Sequence, residues 1–321
     1  MRLAPRLALV AAGLALAACA ATPPADEPLP IPDDKLPAAP GSSPKPETRV
    51  TLDPSLVSFY ARKEENLLSQ GLLRQDGGGP DTPFDAESLT RSFLSVALFD
   101  EYSPGPDGGL VQGATISRLK RWEEPVRISL TFGGGVPIAV EIGDRAALEA
   151  YVERLSRVTG HQIEISDPER ANFHVLVLGE DERRRAGPLI RRLLPRVSVS
   201  SLTAVTNLPI AVDCLTLSFS EPSAYLYHSA LAVVRAEHPD LTRLACYHEE
   251  LAQSLGLPGD SPDARPSIFN DDEEFALLTT HDELLLRILY DPRLRPGMTP
   301  DEAEPVVRVI VSELLGESGT T

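Results

Sequence analysis

The chain has little with which to hold a polyanion. Its 321 residues carry 30 Lys and Arg against 47 Asp and Glu, a formal charge of −17. Nucleic acid and anionic lipid are held through Lys/Arg neutralisation of phosphate, so neither is expected as a direct partner. Histidine is scarce: among the six, no two stand at the i, i+4 spacing that presents a zinc ligand pair on one helical face. Gly133-Gly134-Gly135 lacks the Lys and Ser/Thr of a phosphate-binding loop and reads as a strand-end turn or bulge. Asp213, His228 and the serines show no nucleophile-elbow spacing. Beyond the N-terminus, no apolar run approaches the roughly 20 residues that span a bilayer.

What is present begins with an export signal. Arg2 and Arg6 precede the apolar run Leu7 to Leu16, which ends in Leu16-Ala17-Ala18-Cys19. Small residues before a Cys form the lipobox pattern, in which residues 1–18 are removed and Cys19 is lipidated. An ordinary secretory signal with an incidental Cys is the alternative. Loss of Arg2 and Arg6 takes the charge from −17 to −19. By bacterial sorting rules, Ala20 in place of an Asp points to the outer membrane, facing the periplasm. Residues 19–48 are crowded with proline (Pro23, Pro24, Pro28, Pro30, Pro32, Pro37, Pro40) and read as a semi-extended tether that cannot bury a core. The remaining 49–321 suffice for one domain, with 49–120 as a helical N-terminal extension. Once Cys19 is lipidated, Cys214 and Cys246 are left. In an oxidising compartment they read as one disulfide, or else as two buried thiols.

Periodicity places the elements. Helices are expected over Pro54–Leu73, Asp85–Phe99, Arg145–Val158, Arg183–Leu194, Pro239–Leu255 and Asp301–Leu315. In the third, Leu148, Tyr151, Val152 and Leu155 share a face. The fourth reads as a basic, solvated insertion. Strands are expected over Val126–Phe132, again over Pro137–Ile142 after the glycines, and over Gln162–Ile165, Asn172–Leu178 and Leu215–Phe219. Ala224–Val234 reads as strand or helix, Ser103–Gly109 as turn, and His281 as part of a late loop. This order predicts an α/β (α+β) sheet domain.

The segment that carries chemistry is Cys246-Tyr-His-Glu-Glu-Leu-Ala-Gln-Ser-Leu-Gly256-Leu-Pro-Gly-Asp260. Its His248-Glu249 is not the zinc motif H-E-x-x-H, because Ala252 stands four residues after His248. His248 shares the apolar stripe of Leu241, Leu244, Leu251 and Leu255 and reads as a hydrogen-bonded core histidine. Glu249 and Gln253 lie one turn apart on a polar face, with Glu250 beside them.

One residue further on, Glu249-Glu250-Leu-Ala-Gln253-Ser-Leu-Gly256 resembles the metzincin protease helix H-E-x-x-H-x-x-G. Ala171 to Val177, Ser267-Ile-Phe-Asn270 and Leu278 to Tyr290 fall where that family has its preceding strand, its Met-turn and its closing helix. The resemblance implies a mixed, mostly parallel sheet with an edge strand, a backing helix and a cleft helix. It puts Glu249 and Gln253 on the two histidine positions, Glu250 on the general base, and Gly259 on the third ligand, with Asp260 one later. A catalytic zinc needs three good protein ligands. Glu249, Gln253 and Asp260 suit calcium better but supply three oxygens where it takes six to eight. Without zinc, a carboxylate at Glu250 has no activated water to use. Phe93 to Tyr102, Trp122-Glu-Glu-Pro-Val126, Ser267 to Asp271 and Leu289 to Met298 resemble, across most of residues 85 to 300, the bacterial family called domain of unknown function 2927, seen in secreted proteins and lipoproteins. The expectation is a membrane-anchored lipoprotein whose degenerate, cofactor-free protease-like cleft (Glu249, Glu250, Gln253, Asp260) binds a peptide or protein of the cell envelope. The alternative is a metal-dependent peptidase using zinc or calcium at those residues. With two cysteines left, the expected disulfide is Cys214 to Cys246.

Overall fold

The computed structural model describes residues 51–104, 110–221, 223–270 and 272–318. The signal, Cys19, the tether and residues 105–109 of the expected turn lie outside them. In chain order come α1 (Pro54–Ser69), α2 (Ala86–Ala97), β1 (Phe99–Pro104), β2 (Leu110–Ile116) and β3 (Val126–Phe132). Then follow α3 (Ile138–Thr159), β4 (Ile163–Ile165), β5 (Phe173–Leu178), α4 (Glu180–Arg184), α5 (Gly187–Leu193) and α6 (Val199–Thr206). The chain ends with β6 (Cys214–Ser220), β7 (Tyr227–Arg235), α7 (Asp240–Gly256), α8 (Thr280–Leu289) and α9 (Pro300–Ser318).

The sheet is mixed, as expected for an α/β domain. Its order is β4-β3-β5-β7-β6, with every neighbour parallel except β6 against β7. Parallel strands need helices on both faces, and the apolar runs in β5 and β7 meet that need. Phe173, Val175, Val177, Ala230, Ala232 and Val234 join the core that includes residues of α3, α7 and α8. The alternate residues Leu176, Leu178, Leu231 and Val233 pack in a second cluster with Ile190, Leu202 and Val205 from α5 and α6. Strand periodicity of two thus divides the core between two helical layers.

Several expectations are corrected. Ile138 to Ile142 opens α3 instead of resuming a strand; the two isoleucines stand four apart on the exposed side, 69% and 64% accessible. Ala224–Val234 resolves as β7, and His281 is a fully buried residue of α8, not a loop. The basic insertion is two short helices, and Arg183 is not solvated at all. Arg183 and Arg235 are both 0% exposed, and each donates to the Glu180 carboxylate at the start of α4. Such a cluster adds little net stability, but removing one member strands a buried charge at about 3–5 kcal/mol. The β1–β2 hairpin and α6 went unread: the first flanks a turn that shows no apolar alternation, the second is short and rests on Leu202 and Val205.

Cys214 and Cys246 form the disulfide, with Cα atoms 5.9 Å apart, and join the start of β6 to α7. Across a sequence separation of 32 residues, such a link stabilises by about 3–4 kcal/mol.

Two buried histidines make the fold acid-sensitive. Burial holds His248 down to about 3 and His238 to about 4. Both are therefore neutral in the fold, while the unfolded chain binds protons below about 6.5. Their contribution is complete above that value and is lost as pH falls toward the folded pKa values. Urea unfolding at pH 5 should show roughly 2 kcal/mol less stability per histidine than at pH 7, with His248→Gln flattening that slope; an unchanged slope contradicts the assignment.

Candidate functional site

Strand β6 reads Cys-Leu-Thr-Leu-Ser-Phe-Ser, and its alternation builds one wall of a cleft. Leu215, Leu217 and Phe219 belong to the second core cluster. Cys214 and Thr216 face α7, the first through the disulfide and the second through a 2.6 Å hydrogen bond to the Ser254 hydroxyl. Small polar side chains on that face leave room. The result is a cleft of about 500 Å³ between β6 and α7. Strand β6 is also the edge of the sheet, and among the described residues no strand pairs with its outer side. Strand β2 comes near α6. At the hairpin's base Lys120 bonds Asp100 at 2.8 and 2.9 Å, and both residues line the cleft.

The opposite wall is α7, whose rotation is set by buried contacts. Arg243 bonds Asp144 of α3 at 2.7 Å, and the Tyr247 hydroxyl donates to the same carboxylate at 2.7 Å. His248 turns inward as expected. Its ring stacks on Tyr151 with centroids 3.8 Å apart, and Nδ1 accepts the Leu278 N–H at 2.9 Å. The Trp122 indole donates to the Ser254 carbonyl at 2.8 Å. With those faces committed, Ala245, Glu249 and Gln253, at helical spacing of four, fall along the cleft with Glu250 beside them. Glu250 is 4% and Gln253 7% exposed, while Glu249 is partly buried.

Two glycines let the chain leave α7. Gly256 has φ +130, and a Cβ there would lie 2.3 Å from the Lys120 carbonyl. Gly259 sits under the α2 C-terminus, where a Cβ would come within 2.7 Å of the Phe99 carbonyl and 2.9 Å of that of Ser95. Asp260 then enters the cleft, 3.5 Å from the Gln253 amide nitrogen. The loop at 267–270 is pinned by Asp282 of α8, which accepts from the Ser267 hydroxyl at 2.5 Å and the Ile268 N–H at 3.1 Å. At the far end, Lys63 of α1 pairs with Asp213 and, at 3.3 Å, with Glu273.

All four residues singled out from the sequence, Glu249, Glu250, Gln253 and Asp260, thus line one cleft. Sequence reasoning missed Asp100, Lys120, Lys63, Asp213 and Glu273, because they lie far apart in the chain and in no motif. The polar alternation in β6 was the one signal available. The donor set does not fit zinc. The third-ligand position is a glycine wedged against backbone carbonyls, and a neutral amide that faces Asp260 occupies a histidine position.

The family described as protein of unknown function (DUF2927) matches residues 86–309, well over half of the chain, and the chain belongs to that family. No curated protein and no solved structure matches it. The metzincin likeness therefore rests on element order and local motif alone.

Gly259 is a packing residue on this account. Gly259→Ala should cost about 2 kcal/mol by forcing backbone apart, whereas Gly143→Ala, with open space around it in α3, should gain roughly 0.5–1 kcal/mol. Thermal unfolding of both variants checks this, and equal midpoints contradict it.

Proposed function

We propose that this member of the family is an envelope lipoprotein whose domain takes up an extended peptide or protein segment beside β6 without cutting it. The observation that carries the reading is the cleft itself, which lies along a sheet edge and collects the polar face of α7. A strand edge offers a row of backbone donors and acceptors that an extended segment can pair with, and neighbouring side chains then select among segments. Glu250 retains the position of a general base, but the donor set beside it supplies no metal-activated water. Anchoring through Cys19 and the proline-rich tether would hold this cleft off a membrane surface, the outer membrane on the strength of Ala20.

The test pairs binding with product analysis. The lipid-free chain (Cys19→Ala) should leave the membrane fraction, bind members of an extended-peptide library by fluorescence anisotropy, and return every peptide intact by mass spectrometry. Glu250→Ala should retain binding. Cleavage that disappears in Glu250→Ala would instead establish a peptidase.

A further inference from the structure

We propose that Glu182 and Glu237 form a binding site for a small divalent cation of the magnesium or manganese class, at the carboxyl end of the parallel sheet. Neither residue lines the cleft beside β6, and the site does not rest on the peptide reading. Strands β3, β5 and β7 end together, with Phe132 beside Val177 and Val177 beside Val234. The chain leaves β3 for α3, which packs in the first core cluster, and leaves β5 for α4, α5 and α6. Residues of α5 and α6 pack in the second cluster, on the other face of the sheet. Connections that part in this way make a topological switch point, where open parallel sheets bind ligands.

Glycines bring two carboxylates onto that point. A Cβ on Gly133, just after β3, would lie 2.1 Å from Glu182 Oε2, so the carboxylate fills the space a side chain would take. A Cβ on Gly179, just after β5, would lie 3.8 Å from the same oxygen and 3.3 Å from Glu237 Oε1. Each carboxylate is aimed by a backbone donor. The Gly134 N–H donates to Glu182 Oε1 at 2.8 Å, and the Glu180 N–H donates to Glu237 Oε1 at 2.7 Å. The second oxygen of each is shut away from solvent and has no hydrogen-bond partner among the described residues. Glu237 as a whole is 2% exposed. The neighbouring guanidinium groups are committed elsewhere: Arg183, Arg184 and Arg235 all donate to Glu180. A buried carboxylate oxygen without a partner is strongly destabilising, and a cation at the strand ends removes that penalty. Burial raises the Glu237 carboxyl above its ordinary range, so a shared proton is the competing occupant.

The donors select the ligand. Carboxylate oxygens are hard donors that suit magnesium or manganese, and they repel phosphate and other anions. Leu52 covers the same strand end, its Cδ2 3.0 Å from where a Gly179 Cβ would lie, and this excludes a larger ligand. Among the described residues no group of three His, Cys, Asp or Glu is placed to hold a metal. Zinc sites use three or four such side chains, whereas magnesium is held by one or two carboxylates and keeps several waters. An ion here ties the loops after β3 and β5 to the end of β7.

Manganese and magnesium, added to the chelator-treated lipid-free chain, test this. Electron paramagnetic resonance should show stoichiometric bound Mn²⁺, displaced by Mg²⁺. At roughly a hundredfold excess over Kd, the ion should raise the thermal midpoint by about 5 °C. Glu237→Gln keeps a carbonyl for the Glu180 N–H, and Glu182→Gln keeps one for the Gly134 N–H. Both variants should fold, as circular dichroism checks, and lose the bound manganese together with the midpoint shift. The double variant Glu249→Gln with Asp260→Asn should keep both, which separates this site from the cleft. A chain that binds no manganese and shows no shift overturns the proposal and leaves the two glutamates to a shared proton. Manganese retained in both glutamine variants, or lost from the cleft variant, places the ion elsewhere and overturns it as well.

Discussion

The rotation of α7 is the constraint on which the rest of the molecule depends. Asp144 holds both Arg243 and Tyr247 from below, the disulfide holds Cys246 from the side, and Ser254 is fixed between Thr216 and Trp122. An ion-paired carboxylate buried this deeply is costly to disturb, because losing one partner leaves the other unsolvated. Given those contacts, Glu249 and Gln253 can face only the cleft. Turning the helix by one residue, about 100°, would put His248 at the position of Glu249.

That constraint also explains why a polar face survives between α7 and the sheet. A helix buried on all sides would be expected to be apolar throughout. Here α7 packs Leu251 and Leu255 into the core and keeps its carboxylates along a gap lined by the small side chains of β6. The gap remains because Gly256 lets the chain pass close to the Lys120 carbonyl and Gly259 lets it hug the end of α2, which leaves Asp260 in the cleft. Edge strands are usually guarded by charge, cover or brevity. Strand β6 is seven residues long and uncharged, and its guards are supplied from elsewhere: α7 on one face, and Lys63 and Lys120 near its ends.

Local physics made much of the fold legible in the sequence. The sheet could be read because β3, β5 and β7 are dense in branched apolar residues, and α3 because Leu148, Tyr151, Val152 and Leu155 recur at helical spacing. His248 was placed correctly for the same reason. Where the reading went wrong, the pattern was ambiguous or the decisive partner was distant. Ile138 and Ile142 mimic a strand while lying on an exposed helical face, and Arg183 looks solvated until Glu180 and Arg235 are seen beside it. In the site, the α7 residues were legible from one motif. Lys63, Asp100, Lys120 and Asp213 were not, since only the tertiary fold brings them to the cleft.

The account stands on the claim that β6 is a docking edge. Amide hydrogen exchange across the chain, with and without a saturating extended peptide chosen from the library, tests it most directly, because pairing at an edge closes the outward-facing backbone N–H groups and leaves those bonded to β7 nearly unchanged. Added protection on alternate amides between Leu215 and Phe219 is the predicted result. Protection confined to the other edge, at β4 and the adjoining groove of α3, or none anywhere in the sheet while the peptide is demonstrably bound, would contradict it.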